Sequence, residues 1–205
     1  MTDVQPVPTS QALCCMHTTI SADEALARLR AGNQRYMEGH LEHHHADGAR
    51  RLVLRTGQDP YAAILSCADS RVVPEIIFDE GLGDLFVVRV AGNVANVSSL
   101  ASLEYAVAHL NVRLIVVLGH ESCGAIQAAC QPTDETPNLH QLLDQIRPAI
   151  QTAAETSINE AVRANARHTA EQAFAKSALL ESTAGLRIVP AYYNLASGRV
   201  DFLDS

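Results

Sequence analysis

Three short segments of the chain are rich in apolar and β-branched residues. The apolar runs cover residues 61–66, 85–90 and 114–118. Because polar residues do not alternate cleanly with apolar ones in these runs, they predict strands that are covered on both faces of a sheet. A helical pattern over residues 99–110 separates the second run from the third, and such a crossover implies parallel pairing.

The N-terminal half also contains a helix signal before the first strand. Ser21 is followed three residues later by Glu24, which is the pattern of a capping box, and the apolar positions continue through Leu26 and Leu29. We therefore predict a helix over residues 21–40. Residues 1–20 are expected to form a flexible arm.

The C-terminal half predicts more helix and a final hairpin. One helix is expected over residues 124–130, and an alanine-rich helical region over residues 139–180 is expected to be divided by Pro148. Residues 187–194 and 199–203 flank a short turn and predict a hairpin that extends the sheet at one edge.

Together these elements predict an α/β fold in one domain over residues 1–205. Its centre would be a mostly parallel sheet of about four strands plus an edge strand, flanked by helices, with an N-terminal helical arm. A chain of 205 residues with 47% hydrophobic content can bury one substantial core.

Charge and hydropathy narrow the possible partners and locations. The net charge of −8 argues against binding to nucleic acid or to a membrane surface. No apolar run approaches the roughly 18 residues of a membrane span. The first residues lack a basic region followed by an apolar one, so we expect a cytoplasmic protein rather than a secreted one.

The spacing of the cysteines and a run of three histidines do not by themselves indicate a disulfide framework or a second metal site. The chain has five cysteines at irregular spacing, which favours free thiols in a reducing compartment over a disulfide framework. Cys14 and Cys15 are adjacent in the expected arm, and we interpret them as incidental rather than as a second metal site. The run from His43 to His45 lies in a polar stretch and predicts a solvated loop.

The chemistry is concentrated in two motifs, each of which follows a predicted strand. The first is Cys67-Ala68-Asp69-Ser70-Arg71 and the second is His120-Glu121-Ser122-Cys123-Gly124. Open α/β sheets place their ligand sites at the carboxyl ends of strands, so we expect the two motifs to meet there. Two thiolates and an imidazole favour zinc, and three protein ligands leave a fourth position for water or substrate.

Each of these residues also has a simpler interpretation. Cys67 alone could be an inert buried cysteine, and Cys123 alone could simply begin a helix. Asp69 and Arg71 alone could form an exposed ion pair worth about 0 to 1 kcal/mol. It is the combination of His120 and Cys123, three residues apart at a strand end and flanked by glycines, that favours a metal site.

The two motifs resemble those of the β-class carbonic anhydrases, whose signatures are Cys-x-Asp-x-Arg and, about fifty residues later, His-x-x-Cys. The resemblance covers most of the chain, because further segments agree with the family in order and spacing. These segments are residues 32–36, 70–75, 83–93, 102–106 and 191–193.

The resemblance implies a role for particular residues. The zinc ligands, for one zinc per chain, would be Cys67, His120 and Cys123, and the catalytic pair would be Asp69 and Arg71. The implied substrate-binding residues are Gln58, Phe86, Ala91, Tyr105 and Gly124. Tyr105 also lies on a predicted helix between Leu103 and Val107, so packing in the core is an equal alternative for it.

Two patterns of active site occur in this family, and the sequence favours the open one. Gln58 lies nine residues before Cys67, where the open, plant-like pattern has a glutamine that binds substrate. The regulated pattern has a tryptophan three residues before the first cysteine, where this chain has Ile64, and the chain contains no tryptophan. In a closed state Asp69 would be the fourth zinc ligand.

The resemblance implies reversible hydration of carbon dioxide to bicarbonate and a proton by zinc-bound hydroxide. It also implies dimers or tetramers with the cleft at the subunit interface. A hydrolase of carbonyl sulfide or carbon disulfide could use the same site, because those substrates are also linear and electrophilic at carbon. A non-catalytic zinc assembly protein is a further alternative, but it would leave Asp69, Arg71 and Gln58 without a task.

Overall fold

A five-stranded sheet forms the centre of the computed structural model, which describes residues 20–131, 135–151 and 157–203. The strand order is β2-β1-β3-β4-β5. The first four strands are parallel and β5 is antiparallel to β4, so the predicted α/β class and the closing hairpin are confirmed. The strands are β1 Ala62–Ser66, β2 Leu85–Arg89, β3 Leu114–His120, β4 Arg187–Tyr193 and β5 Val200–Phe202.

Helices lie before, between and after the strands. In chain order they are α1 Ala22–Glu38, α2 Gly48–Val53, α3 Pro74–Ile77, α4 Val97–His109, α5 Gly124–Ala129, α6 Pro137–Ile150, α7 Ile158–Lys176 and α8 Ala178–Ser182. Two short 3₁₀ turns cover Leu54–Thr56 and Ala91–Asn93. The helices α2 and α3 were not predicted, because six and four residues are too few to show a helical period.

The prediction that Pro148 divides the alanine-rich region is wrong. Pro148 lies inside α6, which continues to Ile150, and the next helix in the described part of the chain begins at Ile158. Since Pro148 is in the last turn of α6, only one backbone hydrogen bond near a helix end is lost, and the helix tolerates it.

The strands β1, β3 and β4 are covered on both faces, as their apolar runs predict, whereas β2 at the edge of the sheet is only partly buried. Successive side chains of a strand point to opposite faces, so Ala62 and Ile64 join the core beneath α1. Ala63 and Leu65 join a second core that contains residues of α4 and α7. Every residue of β1 is therefore buried.

Helix α1 begins at the predicted capping box. The Ser21 hydroxyl accepts a hydrogen bond from the Glu24 backbone N–H at 3.2 Å, and the Ser21 N–H donates to the Glu24 carboxylate at 2.8 Å. Farther along, α1 passes so close to α3 that a Cβ on Gly32 would overlap the carbonyl oxygen of Phe78. Buried Asn33 continues this contact by donating from Nδ2 to the Ile77 carbonyl at 3.1 Å.

The histidine run is exposed, as predicted for a solvated loop, but it is also anchored to the rest of the fold. His45 Nδ1 lies 2.8 Å from both carboxylate oxygens of Asp84, which is buried. The His45 backbone carbonyl also accepts a hydrogen bond from the Leu82 N–H at 3.0 Å. Sequence pattern could not reveal this, because Asp84 is 39 residues away along the chain.

Some sequence predictions lie outside the described residues. These include the expected arm up to residue 19, with Cys14 and Cys15. Among the residues that are described, no helix is long and apolar enough to cross a membrane.

Replacing Gly32 by alanine should destabilise the protein by about 1–3 kcal/mol, because the new methyl group must separate α1 from α3. The matched control is Gly48→Ala, since Gly48 is also helical but the nearest atom to an added Cβ is 3.9 Å away. That control should be neutral or stabilising, because alanine favours helix. Urea denaturation measures both, and equal stability of the two variants would contradict the close approach.

Candidate metal centre

The three predicted ligands come together at the carboxyl edge of the sheet. Cys67 follows β1 directly, His120 is the last residue of β3, and Cys123 is the N-cap of α5. Because β1 and β3 are neighbouring parallel strands, with Ser66 opposite Leu118, their ends meet. One ligand atom from each residue lies within 4.8 Å of the other two, and all three residues are buried.

The geometry of this group fits a zinc ion. The sulfur atoms of Cys67 and Cys123 are 3.9 Å apart. Tetrahedral zinc with Zn–S bonds of about 2.3 Å requires a separation of roughly 3.8 Å. His120 Nδ1 lies 2.9 Å from the Glu121 carbonyl, to which it can only donate, so Nε2 carries the lone pair. That Nε2 atom is buried and has no hydrogen-bond partner among the described residues.

The two thiols titrate as a coupled pair. The hydrogen bond from Cys123 lowers the pKa of Cys67, with smaller contributions from His120 and the Gly92 N–H, whereas the same contact and burial raise the pKa of Cys123. The pair on its own thus keeps one proton, because a second buried thiolate 3.9 Å from the first would be repelled. A bound divalent cation removes this restriction and allows both sulfurs to be thiolates.

Asp69 and Arg71 form a tightly bonded pair beside the ligands. Arg71 Nε donates to Asp69 Oδ1 at 2.9 Å and Arg71 Nη2 donates to Oδ2 at 2.7 Å. These bonds hold the pKa of Asp69 well below its usual range. Asp69 Oδ2 lies 3.8 Å from His120 Nε2, but Asp69 is not part of the close metal-binding group. Arg71 thus holds both carboxylate oxygens of Asp69.

Arg89 fixes the backbone between Cys67 and Asp69, a role that sequence reasoning missed. Arg89 Nε donates to the Cys67 carbonyl at 3.1 Å and Nη2 donates to the Asp69 carbonyl at 2.6 Å. The sequence signals were the position of Arg89 near the end of a predicted strand and its place in residues 83–93, one of the segments that carry the family resemblance. Asn159 was also missed; its Oδ1 accepts a hydrogen bond from the Ser122 N–H at 3.3 Å.

Three of the predicted substrate-binding residues lie apart from the metal-binding group of their own chain. Gln58 and Tyr105 line a cleft of about 630 Å³ beside β2, together with Leu54, Gly83 and His109 among others. The Phe86 ring is 6.2 Å from that of Tyr105, which is half exposed rather than packed in the core. The described residues that line this cleft include none of the three metal ligands.

Ala91 and Gly124 lie nearer to the ligands. Ala91 is in the 3₁₀ turn after β2, next to Gly92, whose N–H is 3.4 Å from Cys67 Sγ. Gly124 begins α5 directly after Cys123, and a Cβ there would meet no atom within 4 Å. The role of Gly124 in binding substrate stays a prediction.

Comparison with known proteins agrees with this geometry. A sequence model of the family described as carbonic anhydrase matches residues 62–200. Carbonic anhydrase 2 of Mycobacterium tuberculosis is 40% identical over 186 residues, which cover 86% of this chain and 90% of that protein. A carbonic anhydrase of Mycolicibacterium smegmatis is 38% identical, covering 84% of this chain and 89% of the relative.

Solved structures show the same fold. A β-carbonic anhydrase of Aspergillus fumigatus superimposes with a TM-score of 0.68 at 27% identity, covering 89% of this chain and 90% of the other. One of two tetrameric β-carbonic anhydrases of Sordaria macrospora superimposes with a TM-score of 0.69 at 23% identity, covering 89% and 95%.

Replacing Cys123 by alanine should abolish stoichiometric zinc binding, because it removes one of the two sulfur ligands. The parent protein should contain about one zinc per chain, measured by elemental analysis after dialysis. Cys130→Ala is the matched control, since Cys130 is a free, half-buried cysteine outside the metal-binding group. Native zinc content in the Cys123 variant would refute its assignment as a ligand.

Proposed function

The chain belongs to the β class of the carbonic anhydrase family, and we propose that it catalyses the reversible hydration of carbon dioxide to bicarbonate and a proton. The observation that carries this proposal is the position of the Asp69–Arg71 pair. Its carboxylate lies 3.8 Å from the free Nε2 of His120, at the same edge as the two cysteines.

Cys67, His120 and Cys123 would hold the zinc. When bound, zinc supplies a Lewis acid that lowers the pKa of a coordinated water from about 15.7 toward 7. The chain contributes a buried pocket in which neither thiol nor imidazole is exposed to solvent. Electrostatic interactions are stronger in such a place than in water.

Asp69 orients the reacting water in this proposal. Its Oδ2 borders the ligand atom of His120 and accepts a hydrogen bond from a water at that place, which directs a lone pair of the water toward carbon dioxide. Arg71 keeps the carboxylate ionised, since the guanidinium bonds to both oxygens and the Arg71 backbone N–H donates to Oδ1 at 2.9 Å. An ionised Asp69 can therefore accept but not donate.

A second copy of the chain would complete the site. Gln58, Phe86 and Tyr105 lie on the β2 side, and β2 is a sheet edge whose outer side has no partner strand within the described chain. Leu52 and Val53 are exposed beside it, at 63% and 68%. Because an open edge next to exposed apolar side chains favours association, we propose that β2 lies in a subunit interface and that these three residues serve the partner's metal centre.

A reducing, cytoplasmic location fits the thiols. The cysteines in the described part of the chain, Cys67, Cys123 and Cys130, are all free. Two of them are needed as zinc ligands, and zinc-binding thiols persist where disulfides do not form.

Asp69→Asn should lower the turnover of carbon dioxide hydration by about 100- to 10,000-fold while zinc content stays at the parental level. The amide keeps the shape of the side chain but cannot act as an anionic acceptor. Stopped-flow hydration with zinc measured on the same samples tests this.

The matched control for this variant is Asp144→Asn, because Asp144 forms an Asp–Arg pair with Arg147 on the surface of α6. It should hydrate carbon dioxide like the parent. Normal hydration by Asp69→Asn would remove Asp69 from the mechanism. Absence of hydration in the zinc-loaded parent would refute the proposed activity and direct the assay to carbonyl sulfide and carbon disulfide.

Val53→Glu should shift the protein toward monomer, because it places a charge in the exposed apolar surface beside β2. Sedimentation velocity measures the mass, and carbon dioxide hydration should fall with it. Leu179→Glu on α8 is the control, as Leu179 is 39% exposed and away from β2. An unchanged mass for Val53→Glu would contradict an interface at this surface.

A further inference from the structure

Gly92 is held between a metal ligand and a buried asparagine. Its N–H donates to Cys67 Sγ at 3.4 Å, and its carbonyl accepts a hydrogen bond from Asn165 Nδ2 at 2.9 Å. The residue has a φ of +69° and a Cβ there would lie 2.6 Å from Ile146 Cδ1, so only glycine fits. The Gly92 N–H and carbonyl belong to adjacent peptide groups that share the Gly92 Cα, so a hydrogen bond that holds the carbonyl also restrains the position of the N–H.

Asn165 is an unusual residue for its position. It lies on α7 with a side chain that is 0% exposed, beside the core residues Val162 and Ala166. Its Oδ1 has no hydrogen-bond partner among the described residues. Burying an amide with one unsatisfied oxygen costs free energy that an apolar side chain would not cost. The interaction that offsets this cost is the hydrogen bond from Asn165 Nδ2 to the Gly92 carbonyl.

The hydrogen bond from Gly92 to sulfur bears on metal binding. An N–H that donates to a thiolate withdraws negative charge from the sulfur, which changes how strongly the sulfur donates to a metal. Residues that orient ligands in this indirect way typically alter metal affinity by about 10- to 100-fold when they are lost.

We propose that Asn165 is a positioning residue for the zinc ligand Cys67, acting through Gly92. Its amide holds the Gly92 carbonyl and so restrains the residue whose N–H donates to the Cys67 sulfur. Asn165 thus influences the charge on that sulfur without touching metal or substrate. This inference rests on the zinc ligation proposed above.

The test uses the full-length protein with Asn165→Leu, which keeps the size of the side chain and removes the donor. In the cobalt-substituted protein, the thiolate-to-cobalt charge-transfer band should move to longer wavelength, because a sulfur without its hydrogen bond is a stronger electron donor. Competition with a chelator should show zinc affinity changed by about 10- to 100-fold. A purely structural role would lower thermal stability but leave the band in place.

Two further variants keep the test decisive. Asn165→Ala removes the same amide without adding bulk, and it serves if the leucine variant does not fold. Thr169→Val deletes a buried polar group from the same helix, one turn farther on, and should leave both the spectrum and the zinc affinity unchanged.

The outcomes distinguish a failure of this inference from a failure of the zinc ligation on which it rests. If the unmodified protein shows no thiolate-to-cobalt band, the zinc ligation itself is wrong and the role of Asn165 falls with it. If that band is present in the unmodified protein and does not move in the folded Asn165 variants, ligation stands and the role of Asn165 is overturned.

Discussion

The parallel register of β1 and β3 is the constraint on which the metal centre depends. Ser66 of β1 lies opposite Leu118 of β3. Cys67, which follows β1, and His120, which ends β3, therefore lie near each other at the carboxyl edge of the sheet. Cys67 and His120 thus approach each other although 53 positions separate them in the chain. A slip by one residue would turn every side chain of the strand to the other face, and it would also separate the ligands. The apolar residues 62–65 of β1 and 114–118 of β3, which pack against a core on both faces of the sheet, hold this register.

Without a bound cation, the resulting site is energetically unfavourable for the folded chain. Two thiols 3.9 Å apart and an imidazole nitrogen without a partner are all removed from water. Repulsion disfavours charge on both sulfurs there without a cation, so binding of a divalent metal would release a proton. A metal that binds only the folded state would also stabilise that state by mass action. Metal binding and folding are therefore expected to be linked.

The surroundings of the site form a chain of fixed backbone segments. Arg89 binds the carbonyls of Cys67 and Asp69, and Arg71 holds both oxygens of the Asp69 carboxylate. Asn165 on α7 donates to the Gly92 carbonyl, and the Gly92 N–H donates to Cys67 Sγ. These contacts connect β2, the loop after β1 and α7. The residues proposed to do the chemistry are few, but their positions depend on side chains from distant parts of the sequence.

The sequence by itself determined the strands, the capping box of α1 and the two motifs with their ligand chemistry. These features are local: an apolar run, a Ser21–Glu24 pair and a three-residue spacing each act within a few positions. The tertiary structure alone decided that Gln58, Phe86 and Tyr105 lie away from the metal ligands of their own chain, and that His45 pairs with Asp84. It also decided that Arg89 donates to the Cys67 carbonyl and that Asn165 donates to Gly92, whose N–H donates to Cys67 Sγ. The physical reason is that these contacts join residues far apart in sequence, and their partners are set by strand order and helix packing, which no local pattern records.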